Sequence, residues 1–124
     1  MEEERRQYLR VSTRIPVMFR ALSLWSLGSA SAGMREGMIH NLGAGGVQIS
    51  TDVLLPANTA IFLQFNLLGG PQADLAHGRV VATLPHGNRY LLSVAFTEIS
   101  AKLLQAIEDF VITSTPNESQ KLLL

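Results

Sequence analysis

The chain has 124 residues, of which 47% are hydrophobic and 16% charged, and its formal net charge is +0. This length suits one domain with a modest core, and the hydrophobic content excludes a disordered chain. A neutral chain without an apolar run of about 18 residues is neither a general nucleic-acid binder nor a transmembrane protein. Because cysteine is absent, disulfides and thiolate metal sites are also excluded.

The N-terminal segment MEEERRQYLR concentrates three arginines, Arg5, Arg6 and Arg10, in a few residues. It lacks the apolar stretch of a secretory signal, so we expect a cytoplasmic protein without membrane insertion. A local group of guanidinium cations on a neutral protein suits a small anionic ligand better than a long polyanion. The alternative for charged residues at a terminus is a solvated tail.

Alternating apolar and polar residues predict six β-strands in the part of the chain that follows. In the first, RIPVMFR, the side chains of Ile15, Val17 and Phe19 share one face, and Pro16 suits an edge or a strand start because it has no N–H. The other five are MREGMIH, GVQIST, TAIFLQFNL, RVVATL and YLLSVAF. Short antiparallel strands of this kind are typical of a small closed barrel.

Two turn signals separate the later strands. LGGPQ is typical of a loop, and PHGN predicts a hairpin between two antiparallel strands. In RVVATL, we expect Val80, Ala82 and Leu84 to face inward. The segment Ala21 to Gly33, which is rich in small residues, predicts a loop.

The hydrophobic period changes to three and four residues after Ser100. This change predicts an amphipathic helix at about residues 100–113, with Ser100 as its N-cap. We expect its apolar stripe to cover one mouth or flank of the barrel. Pro116 ends the helical pattern and begins a short tail.

A second distinctive stretch, HNLGAGGVQIS, places Gly43, Gly45 and Gly46 directly before a predicted strand. Alone, these glycines indicate a tight bend or a bulge that enters the strand. They are not a P-loop, because no Gly-Lys-Ser/Thr follows, and not a dinucleotide fingerprint, because a strand rather than a helix follows.

Together, the pattern Arg6-x-x-x-Arg10 and the later pattern Asn41-x-Gly-x-x-Gly46 resemble the signature of the PilZ domain family, Arg-x-x-x-Arg followed by Asp/Asn-x-Ser-x-x-Gly. The resemblance covers nearly the entire chain. It implies an all-β fold with a C-terminal helix, in which a six-stranded antiparallel β-barrel and its closing helix occupy residues 14–115. An arginine-rich arm at residues 1–13 would precede the barrel, and a tail at 116–124 would follow it.

The resemblance also implies a function, that of a bacterial receptor or adaptor for the second messenger cyclic di-GMP. It implies ligand contacts through Arg5, Arg6, Arg10, Asn41, Gly43 and Gly46. Arginine forks match guanine edges and phosphates, an amide can hydrogen-bond a guanine edge, and glycine lets a ligand approach the backbone. Arg5 occupies the position that the family associates with an intercalated pair of ligands, which predicts two ligands per site.

The resemblance implies that a mobile arm closes on the ligand and that a separate, unidentified effector protein recognises the closed form. Among the processes that the family controls are motility and biofilm formation, and the chain could be a monomer or a homodimer. We expect no enzyme activity, because no nucleophile, base and oxyanion site stand out. We also expect no cofactor, and His40, His77 and His86 do not form a spaced metal set.

Gly43 departs from the family pattern, because serine is usual at this position. The alternative function is therefore a PilZ-like protein–protein interaction module that does not bind nucleotide. A barrel that binds single-stranded nucleic acid should instead carry exposed aromatic residues along a basic face, whereas aromatic residues make up only 6% of this chain. We expect His40 to lie in a loop, and Arg14 and Arg20 to be solvent-facing strand residues.

Overall fold

The computed structural model describes residues 10–22 and 33–114 of the chain. They form six strands and one helix: β1 (Arg10–Ala21), β2 (Arg35–Gly43), β3 (Gly46–Thr51), β4 (Ala60–Phe65), β5 (Asp74–His86), β6 (Arg89–Ile99) and α1 (Ala101–Ser114). The predicted arginines Arg5 and Arg6, most of the predicted loop 21–33 and the tail from residue 116 lie outside the described residues.

The six strands close into an antiparallel barrel in the order β1-β2-β3-β6-β5-β4, and β4 pairs with β1. The predicted all-β fold with one C-terminal helix is therefore confirmed. β1 begins at Arg10, so residues 10–13, which the sequence assigns to the arm, belong to the first strand. Pro16 pairs with Met38 of β2, whereas β1 pairs with β4 only from Val17 onward, so the missing N–H falls where β1 has one neighbour.

The barrel interior is filled by the inward side chains that the alternation predicts. Val17 and Phe19 of β1 are buried, as are all the inward residues of β3, while Ile15 is half-buried. The whole core cluster comprises Val11, Val17, Phe19, Ile39, Leu42, Val47, Ile49, Ile61, Leu63, Phe65, Ala76, Val80, Leu92, Val94, Leu103, Ile107 and Val111.

Leu84 does not face inward as predicted: its side chain is 52% exposed. The register of β5 against β6 shifts between Val80 and Ala82, and this irregularity interrupts the strict alternation that the prediction assumed. The predicted hairpin at PHGN is confirmed, because β5 ends at His86, Gly87 has a positive φ of 64°, and β6 begins at Arg89.

Helix α1 begins as predicted. The Oγ of Ser100 accepts a hydrogen bond from the backbone N–H of Leu103 at 3.1 Å, which is the contact of an N-cap. Leu103, Ile107 and Val111 repeat every four residues and join the barrel core, next to β1 and β2. In the described part of the chain, no helix is long and apolar enough to cross a membrane.

Candidate functional site

The pairing of β1 with β2 brings the two sequence motifs together. Arg10, the second arginine of the first motif, pairs with Gly43 of the second, and Ser12 pairs with Asn41. The intervening pair, Val11 and Leu42, is buried in the core. Because neighbouring residues of a strand point to opposite faces, Arg10 and Ser12 belong to the outer surface of the barrel, and Arg10 is exposed.

The predicted glycine cluster forms the hairpin between β2 and β3. Gly43 pairs with Gly46 across a two-residue turn, Ala44–Gly45, and the carbonyl of Gly45 accepts a hydrogen bond from the N–H of Phe96 at 2.9 Å. A Cβ at Gly46 would collide with the carbonyl oxygen of Val94. Gly46 is therefore needed for the close approach of β3 to β6, whatever else it does.

A row of polar side chains crosses three strands beside this hairpin. The amide nitrogen Nδ2 of Asn41 donates to Oε1 of Gln48 at 2.7 Å, and Nε2 of Gln48 donates to Oγ of Ser93 at 3.3 Å. These residues lie side by side because Asn41 pairs with Gln48 and Gln48 pairs with Ser93. Gln48 and Ser93 are not among the residues predicted from the sequence; the available signal was their polar, outward position within alternating strands.

Two irregularities next to Asn41 shape the surface. β2 contains one residue, His40, without a counterpart in β3, and β1 places Thr13 and Arg14 opposite His40. His40 therefore lies within strand β2, in agreement with the predicted strand MREGMIH, and the separate expectation of a loop position was wrong. Its ring lies 6.0 Å from that of His86, centroid to centroid, so the tip of the β5–β6 hairpin comes close to β2.

A groove of about 690 Å³ adjoins His40 on the outside of the barrel. Three arginines line it, Arg14, Arg35 and Arg89, and none forms an ion pair with a carboxylate among residues 10–22 and 33–114. Arg89 donates to the carbonyl of Ser50 at 3.4 Å. The other lining residues are Met18, Met34, Glu36, Gly37, Met38, His40, Ser50 and Asp52.

The groove has the chemistry to hold a flat, anionic molecule. Guanidinium groups without a carboxylate partner attract phosphate, and thioethers make favourable contacts with aromatic rings. The two carboxylates, on Glu36 and Asp52, oppose anions locally and can accept hydrogen bonds from ring N–H groups. The described residues contain no group of three or more side chains that could hold a metal ion.

The arginines on the described strands differ in their surroundings. Arg14 and Arg20 are exposed strand residues, as expected, but Arg14 also lines the groove. The guanidinium carbon of Arg20 lies 6.0 Å from the ring centroid of Phe62. Arg79 donates to the carbonyl of Asn58 at 3.0 Å and does not line the groove.

Of the six predicted ligand-binding residues, Arg10, Asn41, Gly43 and Gly46 are therefore neighbours on β1, β2 and β3. Arg5 and Arg6 lie outside the described residues. The role of all six in ligand binding stays a prediction.

Comparison with solved structures shows the same architecture in known proteins. The chain is similar to the Bacillus subtilis inhibitor of motility MotI/DgrA, with a TM-score of 0.72, 16% identity, and coverage of 90% of this chain and 52% of that chain. It is also similar to the PilZ domain of Escherichia coli YcgR solved with c-di-GMP, with a TM-score of 0.63, 14% identity, and coverage of 95% and 97%.

A third similar structure is a tetrameric PilZ protein from Xanthomonas campestris, with a TM-score of 0.66, 13% identity, and coverage of 93% of this chain and 92% of that chain. The chain spans about half the length of MotI/DgrA. No curated protein matches it.

The family itself is shown by the sequence profile rather than by these low identities. The profile described as the PilZ domain matches residues 4–113, which include both motifs, all six strands and nearly all of helix α1. Since this match covers most of the chain, the protein belongs to the PilZ domain family.

Proposed function

We propose that this chain is a receptor for cyclic di-GMP, with the hairpin between β2 and β3 and the start of β1 as its binding surface. The observation that carries the proposal is the register of β1 against β2, which pairs Arg10 with Gly43 and Ser12 with Asn41. Further support comes from family membership and from the similar YcgR domain, which was solved with c-di-GMP.

In the proposed complex, the guanidinium groups of Arg6 and Arg10 bind phosphate or the O6 and N7 edge of a guanine. The side chain of Asn41 binds the polar edge of the other guanine. Each hydrogen bond to a charged group contributes about 1.5–3 kcal/mol net, and a few of them, after ordering losses, give micromolar affinity, about −8 kcal/mol. This function is binding and needs no catalytic step.

We further propose that the signal is closure of the N-terminal arm. Residues preceding β1 carry Arg5 and Arg6, and they reach the site only if they lie against the barrel surface near Arg10. An arm that is ordered by the ligand presents a new surface, which a separate effector protein in the bacterial cytoplasm can recognise.

The direct test is calorimetric titration of the protein with cyclic di-GMP, with GTP and cyclic GMP as control nucleotides. We expect saturable binding near micromolar Kd for cyclic di-GMP alone. The double variant Arg6→Ala/Arg10→Ala should bind at least about 100-fold more weakly, because it loses at least two charge-assisted contacts. Arg20→Ala is a matched control, since it removes an exposed cation at the other end of β1.

A second function is favoured by one observation, the glycine at position 43 in place of the usual serine. If the wild-type protein shows neither heat nor a thermal shift with cyclic di-GMP, the receptor proposal fails. A PilZ barrel that binds a protein partner without nucleotide would then be the better description.

A further inference from the structure

We infer that Gln48 is a positioning residue, which turns the side-chain amide of Asn41 so that its oxygen is available to the N–H groups of a guanine. The inference deepens the proposed function and rests on it, because it concerns how the same surface selects its base. Gln48 and Ser93 belong to neither family motif.

The hydrogen-bonded row sets the orientation. Asn41 uses Nδ2 to donate to Gln48 at 2.7 Å, and Gln48 can accept at Oε1 because its own Nε2 donates to Ser93. Within residues 10–22 and 33–114, no group donates a hydrogen bond to Oδ1 of Asn41. An asparagine amide carries one acceptor oxygen and one donor nitrogen, so the group left for a ligand is the acceptor.

An acceptor at this position distinguishes guanine from adenine. The Watson–Crick edge of guanine carries two neighbouring donors, the ring N1–H and the exocyclic N2 amino group, whereas the ring N1 of adenine is an acceptor. An oxygen that faces these donors gains hydrogen bonds with guanine and meets a lone pair in adenine. In this orientation the neutral amide of Asn41 offers an acceptor oxygen, as does the aspartate that the family signature also allows at this position.

The same three side chains admit an inverted arrangement, and this makes the inference testable. If both amides turned over, Nε2 of Gln48 would donate to Asn41, and the Ser93 hydroxyl would donate to Gln48, because a hydroxyl both donates and accepts. Asn41 would then offer N–H groups instead of oxygen. A carboxylate at position 48 only accepts, so Gln48→Glu permits the first arrangement and forbids the inverted one.

The experiment compares cyclic di-GMP with cyclic di-inosine monophosphate, whose hypoxanthine base lacks the exocyclic amino group. The readout is the ratio of the two Kd values, measured calorimetrically for the wild type, Gln48→Glu and Gln48→Leu. Added negative charge in Gln48→Glu weakens both ligands alike and leaves the ratio unchanged. In Gln48→Leu, the ratio of the two Kd values should fall about threefold to tenfold, because this is the contribution of one neutral hydrogen bond.

Two further variants complete the design. Gln64→Leu makes the same substitution at a half-buried position on β4, and it should change neither Kd. Ser93→Ala removes only the hydroxyl at the far end of the row, and it should shift the ratio in the same direction as Gln48→Leu. A loss of barrel stability alone would lower both affinities and leave the ratio unchanged.

The outcomes are distinct. If the wild type does not bind cyclic di-GMP, the proposed function is overturned together with this inference. If it binds, and Gln48→Leu and Ser93→Ala keep the wild-type ratio, only the inference is overturned. A guanine preference that rises in Gln48→Glu above the wild-type value would show that the inverted arrangement operates in the wild type, and would overturn the inference as well.

Discussion

At Gly46 the absence of a side chain lets two strands of the barrel approach each other. Its counterpart on β6 is Ala95, and the neighbouring carbonyl of Val94 occupies the space that a Cβ would need. Gly46 thus has a structural reason to be glycine in this chain, in addition to any role at a ligand. Gly70 has no such constraint, because no atom beyond its own chain neighbours lies within 4 Å of the place where its Cβ would be.

We therefore predict that Gly46→Ala destabilises the barrel by about 1–3 kcal/mol, because β3 and β6 must move apart to admit the methyl group. The measurement is the midpoint of urea unfolding at constant slope. Gly70→Ala is the control and should change stability by less than about 1 kcal/mol. Equal midpoints for the two variants would contradict the steric argument.

At the scale of single elements, one buried carboxylate organises the connection from β4 to β5. Asp74 is 8% exposed, and its Oδ2 accepts hydrogen bonds from the backbone N–H groups of Leu67 at 2.6 Å and Leu68 at 3.0 Å. The loop LGGPQ, predicted from its glycines and proline, is thus held by the first residue of the next strand.

Asp74→Ala should destabilise the protein by about 1–3 kcal/mol, because two backbone donors lose a charged acceptor in a partly buried place. Thermal and urea unfolding measure this loss. Asp109→Ala makes the same change at an exposed carboxylate of helix α1 and should have a much smaller effect. If Asp74→Ala were as stable as Asp109→Ala, the two hydrogen bonds would contribute nothing net.

At the scale of the whole molecule, the proposed ligand contacts come both from the surface of the closed barrel and from the residues that precede β1. A ligand that binds only the folded chain must raise its stability. The gain in stability depends on the concentration of free ligand relative to Kd. The number of ligands bound depends on the barrel surface and the N-terminal residues together.

We predict that the wild type binds two molecules of cyclic di-GMP per chain and that Arg5→Ala binds one. With free ligand at about 100 times Kd, one site stabilises the folded state by about 2.7 kcal/mol, and a second site adds to this value. Calorimetric stoichiometry and thermal shift measure the two effects separately. A stoichiometry of one for the wild type would contradict the role assigned to Arg5, while leaving the receptor proposal intact.

Much of the fold could be predicted because it depends on local periodicity. Alternation in stretches such as GVQIST predicted the strands, and the change of period after Ser100 predicted helix α1 with its N-cap. The prediction was wrong where the local rule breaks, as at Leu84 after the irregularity in β5 and at His40 in β2. A bulge depends on what the neighbouring strand does, and that information is not local.

The sequence by itself determined the family, the barrel with its closing helix, and the two motifs that define the candidate site. Only the tertiary structure decided that Arg10 lies opposite Gly43, that Asn41 is joined through Gln48 to Ser93, and that Arg14, Arg35 and Arg89 line one groove. The physical reason is strand register: the pairing of strands distant in sequence, shifted by bulges, sets which outward side chains become neighbours.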